Sequence, residues 1–291
     1  MSIVVTGATG ALGRLVVEEL LERVPADRVA VVVRSADKAA DLAERGVELR
    51  IADYNDPASL TGAFRAGDRV LLISGNEIGR RVAQHTAVIE AAVAAGVAQL
   101  AYTGILGGPE ADFELAAEHR ATERAILDSG LPYTFLRNGW YHENYTRDLA
   151  TVLEHGAVLG SAGEGRVASA ARADYAAAAA VALTGEGHLN RAYELSGDTA
   201  WSLAEYAAEV AKQSGKEVAY TELPAQAHLE VLTGAGVPEA FAAIFVDVDA
   251  AIGRGRLGST SGDLARLIGR PTTPVAQAIT TALAPLAPQT A

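Results

Sequence analysis

Three glycines, Gly7, Gly10 and Gly13, follow a short apolar run, Ile3-Val4-Val5, and precede Leu15-Val16-Val17 and Leu20-Leu21 at helical spacing. A strand, a glycine turn and a helix in that order can hold a pyrophosphate. Gly7 permits a tight turn, Gly10 lets backbone N–H groups approach the phosphates, and Gly13 lets the helix pack close to the strand. The helix start then presents unpaired N–H groups and the positive end of its dipole. The turn nominates Gly7, Ala8, Thr9, Gly10, Ala11 and Leu12 as a dinucleotide cradle. A ligand-free turn is the alternative, and the strand and helix around it argue against that.

Arg34 follows a second apolar run, Val29-Ala30-Val31-Val32-Val33, about twenty residues beyond the glycines. An acidic residue there would bind the ribose 2′-hydroxyl of NAD, whereas a cation suits a 2′-phosphate. Arg34 offers a planar, bidentate donor pair, and Lys38 adds a second charge. The competing reading is two surface charges on a loop. No carboxylate occupies that corner, so NADPH is the expected cofactor. Asp53 and Tyr54 follow a third strand and either contact the adenine or form a turn before the next helix. Ser74 and Gly75 end a fourth strand, either beside the nicotinamide ribose or simply as a strand end.

The densest chemistry lies in Arg137-Asn138-Gly139-Trp140-Tyr141-His142-Glu143-Asn144-Tyr145. Aromatic rings can line a slot for a flat substrate and exclude water. Asn138, Tyr141 or His142 can donate a hydrogen bond to a developing oxyanion. For Trp140, packing into a second lobe is a serious competitor. Adjacent residues point apart on a helix, so His142 and Glu143 are not expected to share a metal, and no metal is expected elsewhere.

These residues need a scaffold that gathers them. Strands and helices alternate up to Tyr133-Thr134-Phe135-Leu136-Arg137, with helices expected over 37–45, 57–64, 80–95 and 114–129. That pattern implies an α/β fold, a doubly wound parallel sheet covered on both faces. Right-handed crossovers bring the strand C-termini to one edge, where the glycine turn, Arg34, Asp53, Ser74, Thr103 and Asn138 should converge. Residues 1–137 read as the nucleotide-binding domain. Residues 138–291 read as a smaller, mainly helical substrate lobe, with parts of 156–200 returning to the sheet. Within it, 138–155 reads as helix-like, Asp174 as the cap of an alanine-rich helix, and Ser202-x-x-Glu205 as a capping box. The tail after Leu286 is expected to fray.

The chain has 291 residues, a net charge of −12 and no cysteine. The charge disfavours a nucleic-acid surface. The missing thiols exclude disulfides and cysteine nucleophiles. No apolar run suits a membrane span, and no basic leader precedes the first strand, so a cytoplasmic location is expected.

Thr6-Gly7-Ala8-Thr9-Gly10-Ala11-Leu12-Gly13, Val33-Arg34, Ala52-Asp53-Tyr54, Leu72-Ile73-Ser74 and the stretch from Leu136 to Tyr145 resemble the type 2 NAD(P)H:quinone oxidoreductases. These are atypical short-chain dehydrogenase/reductases of the NmrA-like group. Val167 to Ala176, with its Arg172-Ala173-Asp174-Tyr175, and Leu267 to Thr273 are similar too, so the resemblance spans essentially the whole chain. It implies NADPH-dependent reduction of a small-molecule quinone without flavin. By position, the glycine turn, Arg34, Ser74-Gly75-Asn76 and Arg172 would hold the cofactor. Asn138, Gly139, Trp140, Tyr141, His142 and Glu143 would border nicotinamide and quinone.

Two departures stand out. Many short-chain reductases carry Tyr-x-x-x-Lys where this chain has Leu115-x-x-x-His119, so alcohol oxidation by that proton relay is not expected. His119 then either touches the cofactor ribose or is a solvated helix residue, and Glu123 reads as surface. The family often has Ser where this chain has Gly104, which suggests a different quinone pocket. A dinucleotide-binding redox sensor without turnover, and a reductase of another activated carbonyl, imine or enone, are the rival functions. Whether the chain forms a homo-oligomer is left open.

Overall fold

The structure is a computed structural model and describes residues 1–286; the expected fraying after Leu286 lies outside the described residues. Its first half alternates as the sequence pattern requires: β1 (Ile3–Thr6), α1 (Ala11–Leu21), β2 (Val29–Val33), α2 (Ala40–Glu44), β3 (Glu48–Ile51), β4 (Arg69–Leu72), α3 (Arg81–Ala95), β5 (Gln99–Ile105), α4 (Ala116–Ser129) and β6 (Tyr133–Asn138). β1 and β2 are buried along their whole length, as β-branched strands of a covered parallel sheet should be. The expected helix over 57–64 shrinks to a 3-10 turn, Pro57–Leu60, because Gly62 (φ +84°) leaves the helical region. That over 37–45 divides into the 3-10 turn Asp37–Ala39 and the short α2.

Beyond β6 the chain forms α5 (Glu143–Thr146), α6 (Leu149–His155), β7 (Ala157–Gly160), β8 (Arg166–Val167), α7 (Arg172–Thr184), β9 (Arg191–Leu195), β10 (Trp201–Ser202), α8 (Leu203–Ser214), β11 (Ala219–Glu222), α9 (Ala225–Gly234), α10 (Glu239–Gly253), α11 (Asp263–Ile268) and α12 (Val275–Leu283). The stretch 138–155, read from sequence as helix-like, is not continuous helix. Asn138 completes β6, Tyr141 bridges Ala170 in parallel fashion, and only then do α5 and α6 begin.

The main sheet is parallel throughout, in the order β3-β2-β1-β4-β5-β6-β9. This is a Rossmann-type, doubly wound arrangement whose strand order reverses between β1 and β4. One face is covered by α1, α7 and α11 and the other by α3 and α4. α7 and β9 therefore belong to the nucleotide-binding layer, although they follow β7 and β8 in sequence. The alanine run Ala176–Ala180 is buried in α7, where small side chains let that helix pack tightly beside α1.

Asp174 does not cap α7. The helix starts at Arg172 after Ala171, whose own side chain cannot cap it, and the buried Asp174 carboxylate accepts from Thr273 N (2.8 Å) and meets Arg270 Nη1 (2.7 Å). A second core, built around Trp201, Leu203, Tyr206, Val248 and Ile252, fills the other lobe. Ser202 and Glu205 there form the expected capping box.

Candidate active site

The glycine turn lies at the strand switch point. Gly7 sits at φ +61°, which favours glycine, and its carbonyl accepts from Gly10 N at 3.0 Å. A Cβ on Gly13 would stand 2.3 Å from Gly7 O and 2.7 Å from Ala8 Cα, so only glycine lets α1 begin this close to the turn. α1 has neither a side-chain cap nor an acid in its first turn, which leaves its first N–H groups for an anion. Thr9, Gly10, Ala11 and Leu12 line the groove of about 530 Å³ that opens here. Ala8 is wholly buried in the core beneath it.

At one end of the groove stands Arg34, its side chain 69% exposed, just after β2. Lys38 is not among the groove-lining residues; its carbonyl accepts from Arg14 Nη2 (2.7 Å), which ties the turn to α1 instead. Asp53 lines the groove and also makes a turn, since its Oδ1 accepts from Asn55 N (2.9 Å). Tyr54 lines it as well, and burial pushes its phenol up to about 12, so it stays protonated. Glu77, which sequence reasoning missed, lies 4.0 Å from Arg34 Nη1 and accepts from Gln84 Nε2 (3.0 Å). Its only sequence signal is its place directly after Ser74-Gly75-Asn76.

The segment from Ile73 to Asn76 forms the middle of the wall. Thr103 does not reach the groove. It is buried, and its hydroxyl oxygen accepts from Ser74 N at 2.8 Å, so it acts beneath the loop.

At the far end the aromatic stretch divides. Tyr141 faces the groove beside Arg172, whose Cζ lies 4.9 Å from the centre of the Tyr141 ring. Asn138 is buried and donates through Nδ2 to Tyr141 Oη (3.3 Å). Burial raises the Tyr141 phenol, opposed by that hydrogen bond and by Arg172. The phenol is a neutral donor.

Trp140 instead lines a separate cavity of about 190 Å³ in the second lobe, with Tyr145, Tyr206 and Phe245. The extended backbone around Gly139, whose N donates to Leu195 O (2.7 Å), makes neighbouring side chains diverge.

Two expected site residues are held by the protein itself. Both ring nitrogens of His142 are occupied: Nδ1 pairs with Ser169 Oγ (2.7 Å) and Nε2 with Thr273 O (2.8 Å). It is 1% exposed, and burial lowers its pKa. It is therefore no donor to a substrate. The Glu143 carboxylate accepts from Arg172 N (3.0 Å), which caps α7 at its positive end rather than facing a quinone.

Three further expectations change. His119 is neither at the ribose nor solvated. It is buried, with Nδ1 2.8 Å from Tyr102 Oη and Nε2 3.4 Å from Arg81 Nη1. Glu123 is not surface; it forms a bidentate pair with Arg137, at 2.9 and 2.8 Å. Gly104 turns toward that pair and not toward the groove, because a Cβ there would lie 3.0 Å from Glu123 Oε1. Its missing side chain makes room for a buried ion pair.

Among the described residues no cluster of His, Asp and Glu could hold a metal ion. The arrangement fits a phosphorylated dinucleotide: a glycine cradle at the switch point, a mostly exposed guanidinium at one end and a neutral phenol at the other.

Comparison with known proteins agrees with the geometry. Residues 7–186 match the NAD(P)H-binding family. The chain is 47% identical to quinone oxidoreductase 2 of Escherichia coli over 95% of its length and 97% of that protein. The crystal structure of NADPH-dependent quinone oxidoreductase from E. coli complexed with NADPH superposes with a TM-score of 0.94. It is 46% identical and covers 96% of this chain and 99% of that one. The triphenylmethane reductase of Citrobacter sp. complexed with NADP(H) gives a TM-score of 0.93 at 42% identity, over 97% and 100% of the two chains.

Proposed function

The chain belongs to the NAD(P)H-binding family, and on that premise we propose that it is an NADPH-dependent reductase that transfers hydride directly to a quinone, without flavin. Its 47% identity to a quinone oxidoreductase over nearly all of both chains supports the acceptor class. The observation that carries the chemistry is Tyr141 Oη, directed by Asn138 at the opposite end of the groove from Arg34.

When bound, NADPH supplies the hydride, and the protein supplies position and electrostatics. Arg34 would meet the 2′-phosphate with paired donors. The α1 N-terminus and the Gly7–Gly13 turn meet the pyrophosphate. Held there, at the β2 side of the sheet, the dinucleotide would have Tyr141 and Arg172 along the rest of its groove. Asn138 Nδ2 donates to the Tyr141 oxygen, which leaves the phenolic hydrogen free to point at an acceptor. Hydride addition to a ring carbon of the quinone would push an electron pair onto the conjugated oxygen and leave negative charge there. The phenol O–H stabilises that charge, and the nearby Arg172 guanidinium adds to it. Protonation of that oxygen by solvent, and passage of a proton from the reduced carbon to the second oxygen through solvent, would then give the quinol, with a net uptake of one proton.

Among the described residues His119 is buried away from the groove with no lysine beside it, so the Tyr-x-x-x-Lys relay has no counterpart on this helix. A quinone needs none, since it accepts hydride without prior protonation. Among the described residues no helix is long and apolar enough to cross a membrane, and the cytoplasm is the proposed setting.

The test follows absorbance at 340 nm with purified protein, a simple benzoquinone or naphthoquinone, NADPH or NADH, and no added flavin. Turnover that prefers NADPH supports the proposal. NADPH binding without turnover on any acceptor would favour a sensor. Turnover only with a cationic triphenylmethane dye would favour the second acceptor class found among the similar structures.

A further inference from the structure

Just past the end of β4, three successive backbone amides are held by side chains from three different elements. Ile73 N donates to Thr6 Oγ1 of β1 (3.1 Å) and Ser74 N to Thr103 Oγ1 of β5 (2.8 Å). Gly75 N donates to His85 Nε2 of α3 (3.0 Å). These amides lie where β4 has no ladder partner left, so without such acceptors they would be unpaired. The same three residues form the middle of the groove wall. The two threonines sit on neighbouring strands and are local continuations of the sheet. His85 is different: it reaches the loop from a helix ten residues further along, and it is fully buried.

We infer that His85 is a positioning residue for the dinucleotide, acting through Gly75. The hydrogen-bond network around it assigns its tautomer. Thr122 Oγ1 uses its own hydrogen on Glu118 O (2.9 Å), so it accepts from His85 Nδ1–H (2.9 Å). Nε2 is then a bare acceptor, the one form of imidazole that can hold an amide N–H. A protonated ring would set N–H against N–H and release the loop.

The surroundings keep the ring neutral. Burial first, then the Arg81 charge on the same helix, bring its pKa down to about 4. Tyr102 of β5 meets the ring edge-on with centroids 5.6 Å apart, and α4 supplies His119, Thr122, Glu118 and Glu123 to the same region. His119 is itself held neutral by burial and Arg81, with a pKa of about 3. Gln84, the neighbour of His85, lines the groove and anchors Glu77, so the start of α3 supports the loop at two points.

Gly75 is not made necessary by the protein. Its backbone is not in the left-handed region, and a Cβ would make ordinary contacts, with Gln84 Oε1 at 3.4 Å, His85 Nε2 at 3.7 Å and Arg81 Cγ at 3.9 Å. Its fixed element is the amide, and the amide's partner is His85. With the amides of 73–75 turned inward, the loop is pre-organised before the ligand arrives, which lowers the ordering cost of binding. This inference rests on the groove holding the dinucleotide and is independent of the acceptor.

The experiment measures NADPH affinity directly, by fluorescence titration, alongside KM and kcat in the quinone assay. His85→Leu fills the space without an acceptor; His85→Gln keeps one in its side-chain carbonyl. His85→Leu is expected to raise the Kd for NADPH about tenfold, the loss of about one buried hydrogen bond, with kcat at saturation within about twofold. His85→Gln is expected to recover most of that loss. In the wild type, Kd should rise as pH falls toward 4, and His85→Gln should flatten that rise.

If His85→Leu does not fold, Thr122→Val serves instead. It leaves the imidazole in place but frees its tautomer, and a Kd about two- to fivefold weaker is expected, from the partial loss of one hydrogen bond. A folded His85→Leu with wild-type Kd, or equal losses in the Leu and Gln variants, would overturn the inference. So would unchanged affinity in Thr122→Val where that variant is the one tested. Because Kd is read without turnover, failure of the quinone reading leaves these outcomes interpretable.

Discussion

The carbonyl oxygen of Gly7 and the Cα of Gly13 are so close that a Cβ on Gly13 would stand 2.3 Å from that oxygen. The contact is backbone against backbone, so no side chain can move aside. Gly13→Ala should therefore push α1 away from β1, at a stability loss of roughly 1–3 kcal/mol, and weaken NADPH binding. Gly10→Ala, where the same distance is 3.2 Å, should do less to stability. Urea unfolding and NADPH titration of both variants check this, and equal stabilities would contradict it.

Arg34 is the residue proposed to meet the 2′-phosphate. Among the described residues its one ion-pair contact is Glu77 at 4.0 Å, and the side chain is mostly exposed, so its removal should leave stability nearly unchanged. Arg34→Ala should raise the KM for NADPH by about ten- to a hundredfold and leave that for NADH within about twofold. Glu77→Gln, which removes a neighbouring carboxylate, should shift preference further toward NADPH. Parallel steady-state kinetics with both cofactors decide both points.

Tyr141 should act on kcat and not on cofactor affinity. Tyr141→Phe removes the one groove-facing hydroxyl oriented by Asn138, and kcat should fall by about ten- to a hundredfold. Asn138→Ala should reproduce part of that loss, since the phenol would remain but lose its orientation. Full kcat in both variants would remove Tyr141 from the chemistry.

Stability should fall in mild acid. Burial and Arg81 lower His85 to about 4 and His119 to about 3, against 6.5 for a free imidazole. Between those values the unfolded chain binds protons that the folded chain does not, so stability is full above about pH 6.5 and declines as pH falls toward 4. A lower Tm at about pH 5 than at about pH 7, reduced in His119→Gln, is the expected result. A pH-independent Tm across that interval would argue that these rings are not buried neutral.

Asp174 holds the segment after α11 to the start of α7. Asp174→Ala would leave Thr273 N and the Arg270 guanidinium without their partner, at about 2–3 kcal/mol. Because Thr273 O also receives His142, the loss should spread to the Trp140–Glu143 stretch. Chemical denaturation, with Tyr141-dependent kcat as a second readout, measures it.

Much of the nucleotide half was legible in the chain. Gly7, Gly10 and Gly13 have jobs set by backbone geometry alone, and the buried runs at β1 and β2 repeat at the interval a parallel sheet needs. Arg34 could be placed beside the groove because its position after β2 is fixed by that repeat. The family could be recognised from local residue strings such as Asn138-Gly139-Trp140-Tyr141 for the same reason: they are short-range information.

Side-chain direction and partner choice were not local. Trp140 and Tyr141 are adjacent, yet one fills the second lobe and the other faces the groove, because an extended backbone alternates its faces. His142 and Glu143 read as site residues until Thr273, Ser169 and the start of α7, all distant in sequence, occupy their polar atoms. Glu123 and Gly104 find their meaning only in Arg137, and His85 only in Gly75. The sequence by itself determined the layers of the sheet and the phosphate end of the site, through the periodicity of apolar residues and the freedom of glycine. Only the tertiary structure decided which polar groups remain for a ligand, because a buried donor or acceptor takes whatever partner the packed chain brings within about 3 Å.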